Sequence, residues 1–261
     1  MSDSGSPRRL SRRGFLGRGV AGFGLGACVH SFSPFLINRA NAQVESVDLL
    51  LLLAVDSSFS VSRVEYNLQI QGLALAFLDP EIIEAAASGP TGRIAVAVMQ
   101  WSSEFSQILT VPWTVVDGAQ SAVLLSGALS TMQRQTADGA TALGDALSAA
   151  GAYIQSAPYE AFRRVIDVSG DGRKNTGSVV TPVRDALVGR GITINALAIL
   201  NEDPQLDLYY SQTVVGGIGS FTMVANDYHQ FGEAIRRKLL REIRFVPVSQ
   251  RVEPGGLTVI R

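Results

Sequence analysis

Asp56-Ser57-Ser58-Phe59-Ser60 sets one carboxylate and two hydroxyls at alternate positions, a D-x-S-x-S box. All three are hard oxygen donors, which suit a hard divalent cation such as Mg²⁺. Taken alone, the box also has the composition of a Ser/Asp-rich cap on the helix that follows. Two further segments offer oxygens, Gly139-Ala140-Thr141 and Gly170-Asp171-Gly172. Asp171 is preferred over Asp167 as the second carboxylate, because it ends an apolar run and precedes glycine. Asp167 sits inside that run and would need a partner such as Arg164 or a hydroxyl. Asp138-Gly139 reads equally as a plain turn. Asp145, one turn into a helix, reads as a partner for the helix dipole.

These residues need elements to bring them together. Val47 to Val55 is a continuous apolar run, the pattern of a strand buried on both faces. From Ser62 the period changes, and Val64, Leu68, Leu73, Leu75 and Leu78 predict a helix closed by Asp79-Pro80. Glu81 to Ala87 adds a short helical piece. Strands are predicted at 93–101, 107–115, 164–169 and 192–200, with an edge strand at 221–224. Helices are predicted at 118–130, from Thr141 to Gln155, and at 179–189, 204–215 and 227–245. This alternation implies an α/β fold, a doubly wound and mostly parallel central sheet flanked by helices on both faces. In such a sheet ligands bind beyond the carboxyl ends of the strands, where all three oxygen-rich segments fall.

With these three loops in this order, the chain resembles a von Willebrand factor A-type domain with its metal-ion-dependent adhesion site (MIDAS). The likeness runs over about residues 46 to 245. More narrowly, the Val165-Ile166-Asp167-Val168-Ser169-Gly170-Asp171-Gly172 run, together with the leader described below, resembles an uncharacterised bacterial branch, domain of unknown function 1194. The resemblance implies a site for Mg²⁺, or for Mn²⁺ or Ca²⁺. Ser58 and Ser60 would be direct hydroxyl ligands and Thr141 a direct or water-mediated one. Asp56 and Asp171 would act mainly through water and orient the serines. Weak neutral ligands leave the metal electrophilic, with a position open for an Asp or Glu of a partner protein. Position 140 is Ala where the family often has Gly.

Other chemistries find less support. His229 is the only histidine beyond the leader, and there is no G-x-S-x-G, H-E-x-x-H or C-x-x-C. Gly216-Gly217-Ile218-Gly219 does not follow a buried strand or open a helix as a nucleotide-binding loop does. The alternative is a metal-dependent phosphoester hydrolase using Asp56 as nucleophile. It would need a lysine near the phosphate, for which Lys174 is the candidate, and a second acid that residues 57 to 60 lack. Trp101 and Phe105 are candidates for the rim of a recognition face, and Trp113 for the core.

The first 42 residues read as an export signal. Ser11-Arg12-Arg13-Gly14-Phe15-Leu16 is a twin-arginine box, a Gly-rich apolar stretch follows, and Arg39-Ala40-Asn41-Ala42 supplies an A-x-A cleavage site. The apolar stretch is too short for a membrane span of roughly 20 residues. The expected product is periplasmic or secreted, with a domain at 43–246 and a loose tail at 247–261. A competing reading of Leu25-Gly26-Ala27-Cys28 makes Cys28 a lipid anchor. Removal of six Arg and one Asp with the leader leaves 16 basic against 22 acidic residues, a net charge of −6. That balance argues against nucleic acid as a partner. Cys28 is the single cysteine, so a chain cut after Ala42 has neither a disulfide nor a thiolate site.

Overall fold

The computed structural model describes residues 45–136 and 139–244. The twin-arginine box, Cys28, the cleavage site, Asp138 and the C-terminal tail lie outside them.

Six strands form one sheet in the order β3-β2-β1-β4-β5-β6. They are β1 (Glu45–Asp56), β2 (Ile94–Trp101), β3 (Gln107–Val116), β4 (Tyr159–Gly170), β5 (Ile192–Ile199) and β6 (Thr222–Ala225). All neighbours are parallel except β2 and β3, which form an antiparallel hairpin. The apolar run of β1 splits by parity. Leu49, Leu51, Leu53 and Val55 enter one core, and Leu50, Leu52 and Ala54 the other. The first core is closed by α1 (Arg63–Ala76), α2 (Pro80–Ala87), α3 (Ala119–Ser130) and α7 (Phe231–Ile243). The second is closed by α4 (Leu143–Gln155), α5 (Val180–Val188) and α6 (Leu206–Tyr209). β1 lies between β2 and β4 and is covered on both faces, which is why its sequence does not alternate.

Polar residues fix the two ends of β1. Asp48, 3% exposed, accepts the backbone N–H groups of Thr91 at 3.0 Å and Arg93 at 3.4 Å. Asp56, at the other end, accepts Ser58 N–H at 2.7 Å. β4 begins five residues before the predicted strand, and Tyr159–Arg163 pair with β1 but not with β5, whose pairing starts at Arg164–Ile192.

Several expectations are corrected. The face predicted for α1 is partly wrong: Val64 and Leu75 are each 68% exposed and Leu78 is 41% exposed. The buried face carries Tyr66, Gln69, Ile70, Gly72, Leu73 and Ala74. The reason is the close approach of α7, where a Cβ on Gly72 would fall 2.9 Å from the Phe231 ring and 3.0 Å from Gly232 Cα. At Gly72 a side chain of any size would not fit between the two helices. Trp101 does not stand at any rim; it is fully buried in the second core. Trp113 packs partly against the same core, and Phe105 is fully exposed. The helix expected at 204–215 is only four residues of α6, followed by a wider π-helical turn over Tyr210–Val214. That turn buries Tyr210 and directs its hydroxyl to Gly172 O at 3.2 Å. The last helix is shorter at its start than expected. Gly216 bridges to Ile194, so the Gly-rich run is a structural loop.

Candidate metal centre

β1 and β4 are adjacent, with Val55 opposite Ser169, so their carboxyl ends deliver Asp56 and Asp171 side by side. Beyond β1 the chain turns tightly. Asp56 Oδ1 accepts Ser58 N–H, which draws the loop back on itself, and Gln69 of α1 donates to Asp56 O at 3.1 Å. Ser57 points away from the site. Both its N–H and its hydroxyl donate to Trp101 O at 2.9 Å, and its hydroxyl meets Thr136 at 2.5 Å. Trp101 thus serves the loop through its carbonyl rather than through its ring.

Ser58 and Ser60 are left facing the same space, their hydroxyl oxygens 3.2 Å apart. Ser60 donates to Asp171 Oδ1 at 2.7 Å, across 111 residues of sequence. Asp56, Ser58 and Asp171 are at most 1% exposed, whereas Ser60 is open to solvent at the mouth. Thr141 is 5% exposed and packs beside Gly172. Its N–H donates to Asn175 Oδ1 at 2.8 Å and its carbonyl accepts Asn175 N–H at 3.1 Å, which ties the threonine loop to the aspartate loop. Phe59 N–H donates to Gly139 O at 2.7 Å, tying it to the serine loop as well. Ser60 and Thr141 line a common cleft with Phe59, Asn175 and Glu202. Gly170 is required between the carboxylates, since a Cβ there would lie 2.8 Å from Asp56 Oδ2 and 2.6 Å from the Tyr210 hydroxyl.

The two carboxyls are crowded together out of water. Asp56 Oδ2 and Asp171 Oδ2 are buried without a hydrogen-bond partner. Burial, then the charge of Asp171, push the Asp56 carboxyl up to about 7. Asp171 is also raised, chiefly by burial, although the hydroxyls of Ser60 and of Tyr228, which lies beside it, work the other way. Two buried carboxylates with free oxygens hold either a proton or a positive ion. Among the described residues no three His, Cys, Asp or Glu side chains gather around an ion. The oxygens here come from two carboxylates and three hydroxyls, a set that fits a hard divalent cation.

Asp167 is not part of this group. It ion-pairs with Lys238 of α7 at 2.6 Å, so its partner is neither Arg164 nor a hydroxyl. Asp145 accepts the N–H and hydroxyl of Ser178 at 2.9 Å each, which fastens the loop after Asp171 to α4. Arg134 was not singled out by the sequence. It donates to Ser57 O at 2.5 Å, Ser58 O at 2.9 Å and Val61 O at 3.0 Å, a clamp on the outside of the serine loop. No motif spacing marks it, because it acts on carbonyls more than 70 residues away. Asn175 and Gln69 were missed because they too act on backbone groups of other elements, those of Thr141 and Asp56.

No curated protein matches the chain. Among solved structures it is similar to a von Willebrand factor type A protein from Catenulispora acidiphila (16% identity, TM-score 0.51), with 76% of this chain and 43% of that one covered. It is similar to proximal thread matrix protein 1 from the mussel byssus, with zinc occupied MIDAS motif (15% identity, TM-score 0.55, 76% and 48% covered). It is also similar to the pilus adhesin SpaC from Lactobacillus rhamnosus GG (15% identity, TM-score 0.52, 77% and 31% covered). The chain spans less than half the length of each of these structures. At such identities the likeness establishes a von Willebrand factor A-like fold and nothing finer. The family described as "Protein of unknown function (DUF1194)" matches residues 46–247, more than half of the 261, and the chain belongs to that family.

Proposed function

We propose that this is an exported protein-binding domain. In this reading it captures an acidic side chain of a partner protein through a divalent cation (Mg²⁺, or Mn²⁺ or Ca²⁺) held by Asp56, Ser58, Ser60, Thr141 and Asp171. The observation that carries the reading is the pair of buried, unpartnered oxygens on Asp56 and Asp171 behind the hydroxyls of Ser58 and Ser60, the second of which opens to solvent. A cation bound there would supply a Lewis-acidic centre able to accept a carboxylate oxygen. The chain's own groups prepare that centre. Asp56 holds the serine loop closed through Ser58 N–H. Asp171 accepts the hydrogen bond donated by the Ser60 hydroxyl, which leaves the Ser60 oxygen free to act as a ligand. Asn175 and Gly139 hold the threonine loop in place.

The hydrolase alternative has less behind it. Asp56 is fully buried, one oxygen is engaged by Ser58 N–H, and the other faces Gly170 rather than open solvent, a poor position for a nucleophile. The likeness to a byssal matrix protein and a pilus adhesin supports binding to protein partners. The twin-arginine leader and the Ala42 site support export to the periplasm or beyond.

The test is calorimetric titration of Mg²⁺ into the wild type and the Ser58→Ala/Ser60→Ala double variant, followed by pull-down from a periplasmic extract with and without EDTA. Loss of metal binding in a folded double variant, and EDTA-sensitive partners, are expected. An unchanged titration would reject the site. Turnover of a phosphoester panel with Mg²⁺ would favour the hydrolase.

A further inference from the structure

The other end of the sheet carries a second recess, at the amino-terminal ends of β4, β5 and β6. A cleft of about 320 Å³ is lined there by Arg163, Arg164, Asn195, Phe221, Arg241 and Glu242, among others. Arg164 and Arg241 form no ion pair among the described residues. Arg241 lies 3.7 Å from the centre of the Phe221 ring. Arg163 spends one nitrogen on Glu242 O and Ile243 O, while its buried Nε has no partner. The facing acids are few. Glu242 Oε1 takes Lys238 at 2.6 Å and Asn195 at 2.7 Å, and its buried Oε2 has no partner. Lys238 is shared between Asp167 and Glu242, at 2.6 Å from each, and Asp48 also acts on Arg163 by its charge. Three guanidinium groups with this little counter-charge leave a positive surplus whichever form Glu242 takes.

Two apolar side chains stand at the rim. Ile218 is 98% exposed and Phe162 is 65% exposed. Ile218 is bracketed by Gly217 (φ +95°) and Gly219 (φ +70°). A Cβ on Gly217 would lie 2.9 Å from Thr193 Cα, so the loop backbone is pressed onto β5 and Ile218 is held outward. Phe162 sits on the part of β4 that β5 does not cover.

We propose that this end docks on a membrane surface bearing anionic phospholipid, the arginine cleft taking a phosphate headgroup while Ile218 and Phe162 enter the acyl boundary. Charge complementarity selects the headgroup, since bidentate guanidinium suits phosphate oxygens. The apolar rim selects the lipid source, because a soluble anion would gain nothing from a fully exposed isoleucine. The metal loops lie toward the opposite ends of the same strands, roughly 20 Å away, since Arg164 pairs with Leu50 and the strand runs on from there to Asp56. A docked domain would therefore present them away from the bilayer. The proposal does not depend on the metal reading.

The test is co-sedimentation of the full chain with phosphatidylcholine vesicles, with and without phosphatidylglycerol, in EDTA. Binding that requires phosphatidylglycerol and weakens with salt is expected, with a loss of roughly tenfold in Arg164→Glu and a comparable loss in Ile218→Asp. Ile218→Asp keeps the test decisive even if an arginine variant misfolds, because that side chain touches almost nothing. No phosphatidylglycerol-dependent binding at low salt, or equal binding by both folded variants, overturns the proposal. Calorimetric binding of glycerophosphate without vesicle binding also overturns it, and assigns the cleft to a soluble anion.

Discussion

Asp56 and Asp171 are held where water cannot reach their second oxygens, and the hydroxyls of Ser58 and Ser60 are fixed in front of them. This preorganisation rests on Arg134, whose three hydrogen bonds hold the serine-loop carbonyls outward. Arg134→Met should leave the core intact and weaken Mg²⁺ affinity by roughly 10–100-fold, the range for residues that support metal ligands, measured by calorimetry. A different buried carboxyl should govern the response to pH. Burial, then the charge of Asp167, push Glu242 up to about 8 from an ordinary 4.5, against the pull of Lys238. Arg163 and Arg241 also face it from β4 and α7. The folded state therefore retains a proton between about 4.5 and 8 that the unfolded chain has released. Stability is full below that window and falls as pH rises through it, by on the order of a few kcal/mol. Glu242→Gln keeps the acceptor for Lys238 and Asn195, and should flatten that slope in denaturant titrations at pH 5, 6.5 and 8 (about these values). Of the residues around the candidate site, those that follow a strand or open a helix were legible from spacing: Asp56, Ser58, Ser60, Thr141 and Asp171. Arg134, Asn175 and Gln69 were not, because their work is done on backbone groups that only the fold brings near.

At the scale of elements, the apolar runs, the changes of period and the turn signals were enough to place six strands and most helices. The errors concentrate where one element meets another. The hydrophobic face of α1 was misread because α7 crosses it at Gly72 and Gly232, where close approach replaces bulk. Gly72→Leu should therefore destabilise the domain by roughly 1–3 kcal/mol through overpacking, despite a gain in helix propensity, as read from the denaturation midpoint. The early start of β4 was missed because Glu160 and Phe162 lie where no strand covers them on the β5 side. The π-helical turn after α6 was missed because its cause, the Tyr210 contact with Gly172, is tertiary.

For the whole molecule, the proposed cation would bind the folded state alone and so stabilise it by mass action. Mg²⁺ at about 100 times its Kd should add about 2.7 kcal/mol, or roughly 5–10 °C in Tm, and EDTA should reverse the change in a scanning-calorimetry trace. β1 carries a further consequence. Both its faces are apolar, so oil-and-water patterning cannot tell this strand's correct alignment from one shifted by a residue. Asp48 and Asp56 break that degeneracy from opposite ends. A single-residue slip would strand Asp48 in a core and turn Asp56 onto the wrong side of the sheet. Asp48, far from any ligand, is thus the ruler against which the position of Asp56 is measured. Asp48→Leu should yield a chain that collapses readily but partitions between alignments, visible as doubled amide resonances along β1.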